Sequence, residues 1–133
     1  MDSLIRYLGN FPAPKFLIKK VESTDEYLLG DFLRAIPLPE RFKSIIRQSG
    51  FNVHEQEGSE CILLVEESGV EMHVDEHKSV VWFIHKEPNL QVLTNTGYKN
   101  ISEGDAFWLD TQKPHGVLQS RKGRWSCLTV FVE

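Results

Sequence analysis

A mainly β domain of jelly-roll type, α+β because its helices are confined to the first fifty residues, is predicted by three features of the sequence. From Phe51 onward the chain is a succession of short β-rich runs. Turn compositions separate them at fairly even intervals, which suits a barrel or jelly roll better than a parallel α/β sheet with its crossover helices. Helix signals occur only ahead of that point.

Taken in order, FLIKKV at 16–21 alternates loosely in the manner of a strand. Thr24 is placed to cap a helix that begins with Asp25 and Glu26 and runs toward Ile36, where Pro37 and Pro39 interrupt it. A second short helix, Glu40 to Gln48, puts Phe42, Ile45 and Ile46 on one face and stops at Ser49-Gly50. The strand runs then follow as ECILLVEE, VEMHVD, SVVWFIHK, LQVLTN, YKNIS, DAFWLD, HGVLQS and WSCLTVFV. Between them stand ESG, EPN, NTG, EGD, QKP and RKG, which supply the residues that turns require. Several runs are apolar on both parities, so their sheet needs cover on both faces, and the N-terminal helices are expected to pack outside one sheet. No repeat or linker divides the chain. A single domain over 1–133 is expected, with a mixed part at 1–50 and a β core at 51–133.

With 133 residues, 41% of them hydrophobic and 26% charged, the chain has room for one buried core and an ordinary globular balance. The longest apolar runs, Cys61 to Val65 and Val80 to Ile84, are five residues each, against the roughly 20 that a spanning helix needs. No membrane segment is therefore expected. The opening MDSLIRYLGN lacks the basic and apolar regions of a leader, so the expected location is cytoplasmic. Cys61 and Cys127 lie inside apolar strand runs and read as free buried thiols. A net charge of −4 argues against nucleic acid as a partner held by bulk charge. The one local basic stretch, QSRKGR at 119–124, reads as a solvated hairpin turn.

The chemistry begins at His73-Val74-Asp75, where the two-residue period of a strand puts both metal-capable side chains on one face. With 5 histidines and 19 acidic residues in 133, about 0.7 such triplets arise by chance. His85-Lys86-Glu87 is indeed a second one, read as a strand end ahead of Pro88. The first triplet gains support downstream, where EGDAFWLDTQKPHGV delivers His115 at the start of a strand. Two imidazoles and a carboxylate on one face of a metal form the facial triad of non-haem Fe(II) sites, although the same donors hold Mn, Co, Ni or Zn. On the following strand Arg124 and Ser126 share a face, and a guanidinium beside a hydroxyl can grip a carboxylate.

The order HVD, then a lone histidine after a Gly-Asp turn, then R-x-S resembles the Fe(II)/2-oxoglutarate-dependent oxygenases over about residues 60–133. The texture of EGDAFWLD, PHGV and LTVFV is loosely similar to the aspartyl/asparaginyl β-hydroxylase branch. The resemblance implies a cupin-like double-stranded β-helix and a dioxygenase that hydroxylates a C–H bond of a small-molecule or peptide substrate, with succinate and CO2 as co-products. Iron would be held by His73, Asp75 and His115, and the far carboxylate of 2-oxoglutarate by Arg124 and Ser126. The helices and insertions that shape the pocket in larger members have no counterpart here. The expected site is open, or completed by another subunit of a homo-oligomer. Trp82, Trp108 and Trp125 read as core or sheet cover before they read as site lining, and His54 and His77 stand outside any motif.

The alternative is a cupin, because EGD followed by PH also resembles the second cupin motif. A cupin usually carries HxH and a nearby Glu in its first motif, and Asp75 stands where that second His would be. That reading implies a metal-dependent enzyme or ligand-binding domain without 2-oxoglutarate, and a degenerate β-helix implies a non-catalytic interaction module. Arg124 discriminates among them, since an oxygenase of this kind needs it facing the metal.

Overall fold

The computed structural model describes residues 4–23, 33–54 and 61–133. In chain order the elements are β1 (Ile5–Asn10), α1 (Lys15–Glu22), β2 (Leu33–Ile36), α2 (Glu40–Gln48), β3 (Cys61–Glu66), β4 (Val70–His73), β5 (Lys78–Lys86), β6 (Leu90–Thr94), β7 (Gly97–Ile101), β8 (Asp105–Leu109), β9 (His115–Gln119) and β10 (Trp125–Val132). A six-stranded sheet in the order β1-β8-β5-β10-β3-β2 faces a four-stranded sheet in the order β4-β9-β6-β7. All the pairings are antiparallel.

Two apolar layers hold this together. Between the sheets, Val81, Phe83, Leu90, Val92, Phe107, Trp125 and Cys127 form the inner core. Outside the larger sheet, Leu17 and Val21 of α1 and Phe42, Ile45 and Ile46 of α2 cover Leu63, Val65, Trp82, Leu128 and Val130. Burial of each large apolar side chain contributes about 1.5–3 kcal/mol, so the outer layer is as much a core as the inner one. Trp82 lies wholly buried in it because its indole N–H is met by the carbonyls of Phe11 and Gly104, at 2.9 and 3.0 Å.

Each of the expected strand runs from Cys61 onward forms a strand, and α2 spans the expected Glu40–Gln48. Gly50, at φ +84°, closes α2 with bonds from Gly50 N to Arg47 O and from Phe51 N to Ile46 O, a Schellman ending. Two expectations are corrected. FLIKKV is helical, within α1: Leu17 and Val21, four apart, are the buried pair, and Phe16 points to solvent. The run fits both periods, and contact with the sheet selects the helical one. The helix expected from Asp25 to Ile36 falls largely outside the described residues, but its end, Leu33–Ile36, is strand β2 paired with β3. There the open edge of β3 offers a full ladder of partners that a helix end would leave unused.

Candidate metal centre

β4 and β9 bring the first two donors together. Val70 pairs with Val117 and His73 with His115, so β4 uses one residue more than β9 between the two pairs. That bulge turns both Val70 and His73 toward the space between the sheets. The strands also approach unusually closely at Gly116, where an added Cβ would stand 2.6 Å from Val70 O and 3.2 Å from Met72 N. A glycine directly after His115 is thus required by the packing that juxtaposes the histidines.

Asp75 arrives from the loop beyond β4, and a second loop pins it. Its amide donates to Thr111 O at 2.7 Å, Gln112 Nε2 donates to Glu76 O at 2.9 Å, and the Thr111 hydroxyl donates to His77 O. Thr111 is itself buried beside the hydroxyl of Ser79, 3.0 Å away. The result is that the nitrogen and oxygen donors of His73, Asp75 and His115 all lie within 4.8 Å of one another.

The protonation pattern of the cluster follows from its neighbours. His73 Nδ1 lies 2.8 Å from Glu71 O, and His115 Nδ1 lies 2.9 Å from Lys113 O. A carbonyl only accepts, so each Nδ1 donates to it, which leaves each Nε2 as the ring atom that can serve as a ligand. Those nitrogens face Asp75, with His73 Nε2 3.8 Å from Oδ1 and His115 Nε2 3.2 Å from Oδ2. Three ligand-type atoms that converge on one point can hold a cation between them. Backbone carbonyls behind metal-binding imidazoles are the usual outer support of such a site. The donor set therefore fits a divalent metal, and its His73 side opens to solvent while the His115 side chain is only 10% exposed.

A cavity of about 750 Å³ extends from the triad between the sheets. Ser79, Thr111 and Phe131 mark its metal end; Glu66, Phe83 and Trp125 mark the other. Along β10, Trp125, Cys127, Thr129 and Phe131 face this space. Burial lifts the Cys127 thiol to about 12, so it stands there as a neutral thiol.

Arg124 and Ser126 do share a face, as the strand period implies, but it is the opposite one, and the expectation that they face the metal is corrected. Ser126 pairs with Val65 of the outer layer and is fully buried, and among the described residues its hydroxyl has no hydrogen-bond partner. Arg124 donates to Val21 O at 3.0 Å and Glu22 O at 3.4 Å. Those are terminal carbonyls of α1, which no intrahelical amide can satisfy and which attract a cation. No Lys or Arg lines the cavity among the described residues. A carboxylate at its far end would meet Glu66 instead, which the sequence reading passed over. The signal was available in the parity of β3, where Ile62, Leu64 and Glu66 share one face.

The remaining expectations sort by the same geometry. Trp125 lines the cavity, Trp82 is outer core, and Trp108 stacks on Phe51 at 6.3 Å. His85 lies between Glu87 and Glu103, at 3.4 and 3.2 Å, away from the triad. His77 is half-buried against His54, with ring centroids 4.1 Å apart. The Gly-Asp turn is structural: Asp105 accepts from Asn10 and from Ser102 N, at 2.9 and 2.7 Å, which ties β1 to the sheet.

No protein-family model matches the sequence, and no curated protein sequence matches it. In structure the chain is similar to a prolyl hydroxylase in complex with a hypoxia inducible factor oxygen degradation domain peptide fragment from Trichoplax adhaerens, with a TM-score of 0.61, 12% identity, and coverage of 96% of this chain and 83% of that one. It is also similar to a prolyl-4-hydroxylase of Pseudomonas putida, with a TM-score of 0.52, 15% identity, and coverage of 89% and 79%. A cupin 2 domain-containing protein of Halorhodospira halophila overlays with a TM-score of 0.48 at 13% identity, covering 84% and 72%. At such identities the likeness concerns architecture. The two antiparallel sheets, the few helices and the overlays with the two hydroxylases identify the fold as a mainly β, cupin-like double-stranded β-helix.

Proposed function

We propose that this chain is a non-haem Fe(II) dioxygenase acting on a C–H bond of a small-molecule or peptide substrate bound in the cavity beside the triad. The observation that carries the reading is the convergence of His73, Asp75 and His115, with both Nε2 atoms presented by carbonyl-anchored rings. Iron bound there would supply oxygen activation at the positions the three protein donors leave open. The protein's own part is placement: the β4 bulge and Gly116 set the imidazoles, the Thr111 carbonyl sets Asp75, and the cavity offers a largely apolar wall to the substrate.

A second reading, a cupin-type metal-dependent enzyme that works without 2-oxoglutarate, is favoured by the lining of the cavity. The residues expected to hold the far carboxylate, Arg124 and Ser126, stand on the other side of the sheet, and Glu66 occupies the far end. Two like charges about 4 Å apart at an effective dielectric near 20 repel by about 4 kcal/mol. The residues present do not fit 2-oxoglutarate as the dicarboxylate was expected to sit.

Anaerobic titration of Fe(II), followed by 2-oxoglutarate, separates these readings. Calorimetric Fe(II) binding that His115→Ala abolishes supports the metal centre, and no binding refutes it in favour of a non-catalytic module. A weak visible charge-transfer band on adding 2-oxoglutarate assigns it as cosubstrate; metal binding with no band and no heat selects the second reading.

A further inference from the structure

Glu66, the last residue of β3, is only 5% exposed and lines the cavity at the end away from the triad. One of its oxygens is engaged by its own turn: Oε1 accepts from Glu67 N at 3.0 Å, Ser68 N at 3.2 Å and Ser68 Oγ at 3.0 Å. Among the described residues no donor reaches Oε2. The nearest candidate, the indole N–H of Trp125, which pairs with Glu66 across the strands, is already shared between Ser68 O and Gln119 Oε1 at 2.9 and 3.1 Å. Oε2 is thus left to the open space of the cavity, where a carboxylate favours a donor or a cation. Around it stand Leu64 and the rings of Phe83 and Trp125, whose centroids are 6.2 Å apart. A carboxylate beside aromatic faces is the chemistry that recognises an ammonium or guanidinium group.

We infer that the cavity takes an elongated substrate bearing an alkylammonium or guanidinium group, whose charge seats against Glu66 while its apolar chain runs past Leu64, Val81 and Val117 toward the triad. Ser79 and Phe83, which mark the two ends of the cavity, lie four residues apart on β5, so the charge sits on the order of 13 Å from the metal end. That length suits an amine or guanidine on a chain of several methylenes. As a statement about the substrate, this rests on the reading of the triad as a metal centre; as a statement about the cavity, it does not.

The test uses the whole chain loaded with Mn(II), titrated calorimetrically with hexylammonium, hexanol and hexanoate at one ionic strength. Hexylammonium is expected to bind at least tenfold more tightly than hexanoate, and Glu66→Gln to weaken it at least tenfold while leaving hexanol within about twofold. Equal or tighter binding of hexanoate, no binding of hexylammonium, or an ammonium preference untouched by Glu66→Gln overturns the inference. Should Glu66→Gln fail to fold, the charge series on the wild type decides alone. Repeating the series on His115→Ala keeps the two readings apart. An ammonium preference there without Mn(II) binding supports the cavity inference, and Mn(II) binding to the wild type without that preference refutes the inference and leaves the metal centre standing.

Discussion

Arg124→Ala is expected to act on stability and to leave the cavity unchanged. The guanidinium donates to Val21 O at 3.0 Å and to Glu22 O at 3.4 Å, at the C-terminal end of α1. A hydrogen bond involving a charged group contributes about 1.5–3 kcal/mol, and a cation at a helix C-terminus about 0.3–1 kcal/mol. The second bond is long and exposed, so the lower part of the combined range applies, about 1.8–2.5 kcal/mol. For a chain of this length one kcal/mol corresponds to about 3–5 °C in Tm, which gives an expected fall of about 5–12 °C. Arg124→Lys should recover part of it, since the charge stays and the planar fork is lost. Thermal and urea unfolding followed by circular dichroism measure the stability, and calorimetric titration of Mn(II) and then 2-oxoglutarate measures the site. An unchanged Tm together with a tenfold or greater loss of 2-oxoglutarate affinity would place Arg124 in the cavity and refute the reasoning.

Gly116→Ala should unfold the protein or abolish Mn(II) binding, because the new Cβ meets Val70 O at 2.6 Å and forces β4 from β9; Mn(II) affinity equal to wild type by electron paramagnetic resonance would contradict this. Thr111→Val removes the hydroxyl that holds His77 O and leaves Ser79 without that partner, so it should cost about 1–3 kcal/mol by urea unfolding and weaken Mn(II) binding about tenfold or more. A variant that loses stability but keeps metal affinity would show that the Thr111 hydroxyl has no part in positioning Asp75. Cys127, raised from 9.0 to about 12 by burial, favours the folded state fully below pH 9. Its contribution is lost as pH rises from about 9 toward about 12, because only the unfolded chain then releases the proton. Stability that is level across that window in wild type, or that falls equally in Cys127→Ala, would rule this out.

Much of the fold was legible because strand period and turn composition are local signals. Runs such as SVVWFIHK and WSCLTVFV, bounded by turn residues, were identifiable as strands without knowledge of their partners. β1 was not, since Arg6, Tyr7 and Gly9 give IRYLGN a weak alternation and its pairing with β8 shifts register between Tyr7 and Gly9. α1 was misread because six residues of FLIKKV fit a period of two and a period of 3.6 alike, and only the sheet beneath Leu17 and Val21 distinguishes them.

By itself the sequence pointed to the candidate triad: His73 and Asp75 stand two apart, His115 opens a later strand, and few other residue types bind a divalent cation. It also determined that Arg124 and Ser126 share a face. Which face that is, only the tertiary structure decided. β10 is buried on both sides, so its composition carries no phase, and a shift of one residue exchanges the inner layer for the outer. Packing of α1 outside the larger sheet, with unsatisfied carbonyls at its end, draws Arg124 outward and turns Trp125 and Cys127 in, leaving Glu66 at the far end of the cavity.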